Sequence, residues 1–94
     1  MHTLIKNNDL VEASLFTSIN TLKRVNITIH GNRTSVTLEP KTWDVFKKLA
    51  TANAMDVHEL STFIYDRKNE GASLSSAIRV FLISYLDIVA HKEA

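Results

Sequence analysis

Arg33-Thr34-Ser35-Val36-Thr37-Leu38-Glu39-Pro40-Lys41-Thr42-Trp43 is where the chain changes its period. Thr34, Val36 and Leu38 alternate with Arg33, Ser35 and Thr37, the two-residue repeat of a half-buried strand. Pro40 ends that strand and suits the first turn of a helix, where its missing N–H costs nothing. With Glu39 as N-cap, Leu38 at N′ and Trp43 at N4 form the two halves of a hydrophobic staple. Trp43, Phe46, Leu49 and Ala50 then recur at helical spacing, which predicts a helix over 40–53. The fold turns on a strand that runs straight into a helix.

Upstream, Val25, Ile27 and Ile29 alternate with Asn26, Thr28 and His30 and predict another strand over 25–30. Gly31-Asn32 fits a two-residue II′ turn that would join the strands into a hairpin; a local extended kink without pairing is the competing reading. Residues 1–22 form an N-terminal arm or weak helix. Within it Asp9 and Glu12 resemble a capping box and Val11, Leu15, Ile19 and Leu22 share a stripe, whereas Ser14, Thr17, Ser18, Asn20 and Thr21 disfavour a helix interior.

Downstream, Asp56-Val57-His58-Glu59 is an Asp version of the capping box, with Met55 and Leu60 as a second staple. Val57, Leu60 and Ile64 line a helix ending near Lys68, and Asn69-Glu70-Gly71 breaks it. A third helix opens at Ser73 and runs to about His91. Leu74, Ala77, Ile78, Phe81, Leu82, Tyr85, Leu86 and Val89 lie in its main stripe, and Val80, Ile83 and Ile88 widen the stripe round the cylinder. That predicts burial on more than one side, most simply against a partner subunit.

Ninety-four residues hold one small domain. With 45% hydrophobic and 22% charged residues, two glycines and one proline, the chain is neither a disordered tail nor a low-complexity or collagen-like segment. Having no cysteine, it has no disulfide framework, thiolate metal site or cysteine nucleophile. Uninterrupted apolar runs stop at four residues and no secretory signal opens the chain, so a cytoplasmic protein without a membrane span is expected. The net charge of +1 is uneven. Residues 23–48 set Lys23, Arg24, Arg33, Lys41, Lys47 and Lys48 against Glu39 and Asp44, a basic third that can present an anion-binding face.

Catalysis finds little support, so no catalytic residue, metal or cofactor is assigned. His2, His30, His58 and His91 are scattered, without the spacing that puts two ligands on one helical face. Asp66 and Glu70 read as solvated carboxylates. Ser73, Ser75 and Ser76 read as helix-capping groups, and no glycine-rich phosphate loop is present.

The order of strand, Pro-started helix, short turn and capped helix resembles the ribbon-helix-helix family of Arc- and MetJ-type repressors. Arg33-Thr34-Ser35-Val36 and Leu38-Glu39-Pro40 with Trp43, followed by Leu74-Ser75-Ser76-Ala77-Ile78-Arg79-Val80-Phe81, look like a bacterial branch with a third helix after the motif. The resemblance covers roughly residues 23–90. It implies a mainly α fold with a short β-ribbon, strand or strands followed by three helices, in a domain over 23–94 that forms an intertwined homodimer. Surface-to-volume scaling supports a dimer too: one short protomer is not expected to bury Val36, Leu38, Trp43, Phe46, Leu60 and Ile64 alone.

The resemblance also implies sequence-specific binding to double-stranded DNA and transcriptional repression, with a dimeric ribbon in the major groove. Strand parity then gives Arg33, Ser35 and Thr37 to base reading. Lys23, Arg24 and Lys41 would meet phosphates by charge, and the backbone N–H groups of Val57 and His58 would do so by family analogy. Asp56 departs from the pattern, because it sets a carboxylate where a phosphate would sit. If the strand at 25–30 pairs back on 33–38, a dimer carries four strands. The outer backbones would then lie roughly 14 Å apart, wider than a groove of about 12 Å. The alternative function is a dimeric protein-interaction adaptor, or an antitoxin-like protein, that does not insert its ribbon. The N-terminal arm is the expected place for a protein partner.

Overall fold

The computed structural model describes residues 21–93. It runs β1 (Lys23–Ile29), β2 (Asn32–Leu38), α1 (Pro40–Ala52), α2 (Val57–Arg67) and α3 (Leu74–Glu93). The expected helix within 9–22 lies outside these residues except for Thr21 and Leu22, which precede β1 without regular structure.

The two strands pair antiparallel, with Val25 opposite Val36 and Ile27 opposite Thr34. The hairpin reading therefore holds and the kink does not. The turn, however, is His30-Gly31, one residue earlier than Gly31-Asn32, and Asn32 opens β2. Both turn residues have positive φ, 48° and 81°, as a type I′ turn requires and a II′ turn does not. Gly31 reaches this region freely. His30 is held in it by its Nε2, 2.7 Å from Asp66 Oδ1 of α2, and by an edge contact with Tyr65.

Each helix starts where the sequence signals it. Glu39 is the extended N-cap of α1, with Pro40 at N1, and its carbonyl accepts the Trp43 N–H at 3.0 Å. At α2 the capping box is complete: Asp56 Oδ1 accepts the Glu59 N–H at 2.8 Å, and Glu59 Oε1 accepts the Asp56 N–H at 3.0 Å. Ser73 Oγ accepts the Ser76 N–H at 3.1 Å to open α3. The end of α1 carries no glycine signal yet closes as a Schellman motif. Met55 N–H bonds Ala50 O, Ala54 N–H bonds Thr51 O, and Ala54 sits at φ 56°.

The core lies between the inner face of the hairpin and the three helices. Ile27, Val36, Leu38, Phe46 and Ile78 are fully buried, and Trp43, Leu60 and Ile64 nearly so. This corrects the expectation that Val36, Leu38, Trp43, Phe46, Leu60 and Ile64 need a second subunit. The physical reason is β1, whose Ile27 and Ile29 complete the sheet side of the core within one chain. The strand beside β2 in this chain is β1, not a second copy of β2.

Within one chain the third helix is buried along one side. Leu74, Ile78 and Leu82 are buried, but Val80, Ile83, Leu86 and Ile88 are exposed within the chain. Leu74–Lys92 also has the length and composition of a membrane span. The short uninterrupted runs did not signal this, because Arg79, Ser84 and Asp87 break the runs while leaving the average apolar. Its inner side is packed against the domain.

Candidate nucleic-acid interface

Alternation turns one face of the hairpin away from the core. On β2 that face carries Arg33 and Ser35, both exposed, and Thr37, partly buried. The register sets Arg24 opposite Thr37, Asn26 opposite Ser35 and Thr28 opposite Arg33, and these β1 residues are exposed too. Asn26 and Thr28 were not among the candidates, although their parity already placed them on this face once the strands pair. Arg24, expected at phosphates, stands on the same face, and its Nε donates to Ser35 Oγ. The result is a surface two strands wide with an arginine toward each end and no carboxylate among these side chains.

The other candidates surround this surface without forming one cluster. Lys23 begins β1, and its carbonyl accepts Trp43 Nε1–H at 3.0 Å, which ties the strand to α1. Lys41 projects from the first turn of α1 with its Nζ 3.8 Å from Asp44, a carboxylate that also receives Lys48 at 3.2 Å. Such exposed pairs contribute little, so Lys41 is available to an incoming anion. Val57 and His58 occupy the first turn of α2, where the capping box sets Asp56 and Glu59 against the same N–H groups. Two carboxylates there oppose a phosphate. The His58 ring is used differently: its Nδ1 accepts the Thr28 N–H at 3.0 Å and so holds β1 to α2.

The other end of the ribbon is held by α3. Ser75 Oγ accepts the Thr37 N–H at 3.2 Å, so Ser75 serves a strand edge and not a helix start. Arg79 donates to Glu39 through Nε and Nη2 at 3.2 and 3.3 Å, and from Nη2 to the Thr37 carbonyl at 3.3 Å. The Glu39 carboxyl lies below the usual 4.5, first because its own backbone N–H bonds it and then because Arg79 does. A carboxylate favoured by the fold adds stability above its unfolded value and loses it as pH falls through the lowered folded one. Glu39→Gln should therefore lower the urea midpoint at neutral pH and flatten its decline below about pH 4.5. Parallel acid limbs in the two proteins would contradict this contact.

Among the described residues no group of three or more His, Asp or Glu side chains is placed to hold a metal ion. What the fold defines is a polar-faced β-ribbon carried on three helices. Residues 22–86 match the family model described as the ribbon-helix-helix domain, and the chain belongs to that family. Among solved structures it is similar to an uncharacterized protein from Bordetella pertussis Tohama I. The TM-score is 0.72 and the identity 26%, over 94% of this chain and 75% of that one. No curated protein matches the sequence.

Proposed function

We propose that this is a bacterial, cytoplasmic, sequence-specific DNA-binding protein, a transcriptional repressor that acts as a homodimer and presents the outer face of its ribbon to the major groove. Family membership supports DNA binding and regulation of transcription in general. The observation that carries the finer reading is the outer face itself: Arg24, Asn26 and Thr28 beside Arg33, Ser35 and Thr37, polar and free of carboxylates. Because β1 and β2 close the ribbon within one chain, the inserted element is two strands wide. Strands about 4.8 Å apart fit a groove of about 12 Å, so the four-strand obstacle does not arise if each copy offers its own hairpin.

In this reading Arg33 reads guanine O6 and N7, and Ser35 and Thr37 are more tolerant partners of neighbouring bases. Arg24 shares the face and steadies Ser35. Lys23 and Lys41 meet the phosphates beside the groove, and the N–H groups of Val57 and His58 add least because of the cap beneath them.

Duplex binding measured over a salt series tests the reading. The affinity should fall steeply, with a slope of about −0.9 for each phosphate neutralised. Lys41→Ala should weaken a selected and a scrambled duplex alike and flatten the slope by about one for each phosphate it no longer neutralises. Absence of duplex binding, or binding indifferent to salt, would favour the protein-interaction adaptor.

A further inference from the structure

We propose that residues 9–20 of the N-terminal arm dock as a helix in the groove between α1 and α3, antiparallel to α3. This docking goes beyond DNA binding and does not depend on it.

The arm needs a surface. Val11, Leu15 and Ile19 recur every four residues, the spacing of one helical face, and Asp9 with Glu12 has the form of a capping box. Ser14, Thr17, Ser18 and Asn20 lower the helix propensity, and isolated helices shorter than about 12–15 residues are marginal in water. Such a segment becomes helical by laying its apolar stripe on another apolar surface.

The groove offers that surface where the arm arrives. Val45 of α1 faces Leu82, Ile83 and Leu86 of α3 across a space of about 240 Å3, with Lys41 and Arg79 at one end. Ile83 and Leu86 are 68% and 50% exposed. At that same end β1 begins: the Lys23 carbonyl accepts the Trp43 indole N–H, and Lys23 pairs with Leu38, next to the Glu39 that bonds Arg79. Thr21 and Leu22 alone separate this anchor from the arm, and Leu22 is 60% exposed. A short tether holds its segment at an effective concentration on the order of millimolar, far above that of a second copy in dilute solution.

The path of α3 sets direction and register. It meets Thr37 at Ser75 and Glu39 at Arg79, then lies beside Val45 at Leu82, so it runs away from the ribbon along α1. A helix that ends beside the start of β1 and fills the groove therefore runs antiparallel to α3. Both helices rise about 1.5 Å per residue. With Ile19 beside Leu82, Leu15 then falls beside Leu86 and Val11 beside Ala90, while the small Ser18 leaves room for Ile83. Charge agrees with this direction. Asp9 and Glu12 come to the end of α3 whose last turn carries His91 and Lys92, and the two helix dipoles oppose one another. Lys41 and Arg79, the charged residues that line the groove, are both cations and suit an arm whose acids outnumber its one lysine, Lys6.

The chain has no cysteine, so a pair of thiols placed in the full chain tests the register. Mild oxidation should join Leu15→Cys to Leu86→Cys within one chain, at the unchanged mass of 10.6 kDa. Leu15→Cys with Lys47→Cys, on the exposed side of α1, should stay reduced. Hydrogen exchange reads the contact without a thiol. Amides within 9–20 should be protected in the wild type, and Ile83→Glu should remove that protection while α1 and α2 keep theirs. An arm that exchanges as an open chain in the wild type overturns the docking, as does protection that Ile83→Glu leaves unchanged or a Leu15–Leu86 pair that stays unlinked. A link formed only between two chains, at twice the mass, would make a second copy the surface for the arm. Protection that arises only with phosphatidylcholine vesicles present would make it lipid. Either result overturns docking within the chain, and none of these outcomes alters the expected binding to duplex DNA.

Discussion

Trp43→Ala is expected to destabilise the protein by about 3–5 kcal/mol, the cost of emptying a large aromatic site in a core. Small domains have total stabilities of about 5–15 kcal/mol, so this variant should be largely or wholly unfolded at modest denaturant. Trp43 is 3% exposed, packs edge-to-face on Phe46, and donates its indole N–H to the Lys23 carbonyl. It therefore joins α1 to the first residue of β1 as well as filling space. Trp43→Phe separates the two roles. It keeps most of the buried area and loses one hydrogen bond of about 0.5–1.5 kcal/mol, because the Lys23 end of the strand can find water. Urea unfolding followed by far-UV circular dichroism measures all three proteins on one scale. Native fluorescence freely quenched by acrylamide would contradict the burial on which both figures depend.

On a selected DNA site, Arg33→Ala should weaken binding by about 1–3 kcal/mol for each base it no longer grips, and leave the unfolding midpoint near the wild-type value. Arg33 lies on the solvent face of β2, opposite Thr28, with its side chain outside the core. A symmetric dimer presents it twice, so the effect doubles if both copies grip guanine and the sites act independently. Arg24→Ala tests the other end of the same surface. It removes a cation and also frees the Ser35 hydroxyl, so its effect on the selected site should exceed its effect on a scrambled one. Fluorescence anisotropy on the two duplexes at one salt concentration separates these outcomes. If Arg33→Ala binds both as the wild type does, the ribbon is not the reading element.

The sites of these two substitutions were differently legible. Trp43 follows from a staple and a helical period, both local, and the expected burial is found. Arg33, Ser35 and Thr37 follow from parity, which needs only that the stretch be a strand with one buried face. Asn26 and Thr28 required the strands to pair, and Arg24 changed role once they did. The split reflects range in sequence: a face can be read from alternation, but a neighbour cannot.

By itself the sequence determined the element order, the helix starts at Glu39-Pro40 and Asp56, and the faces of both strands. Those features depend on backbone capping, the fixed φ of proline and side-chain period, all acting within about four residues. It could not choose the turn. Moving the turn from Gly31-Asn32 to His30-Gly31 shifts the pairing by two residues and leaves every side chain on its face, whereas a one-residue slip would invert them. The choice was made by the contact of His30 with Asp66 on a different element. Tertiary structure alone also decided that β1 closes the core within one chain, that His58, Ser75 and Arg79 bond to the ribbon edges, and that Val80, Ile83 and Leu86 of α3 stay exposed. These outcomes join residues some thirty to forty positions apart, and no local preference encodes which of several apolar surfaces will meet. Packing geometry settles that question: Ile27 and Ile29 enter the buried core beside the helices, whereas Ile83 of α3 stays exposed.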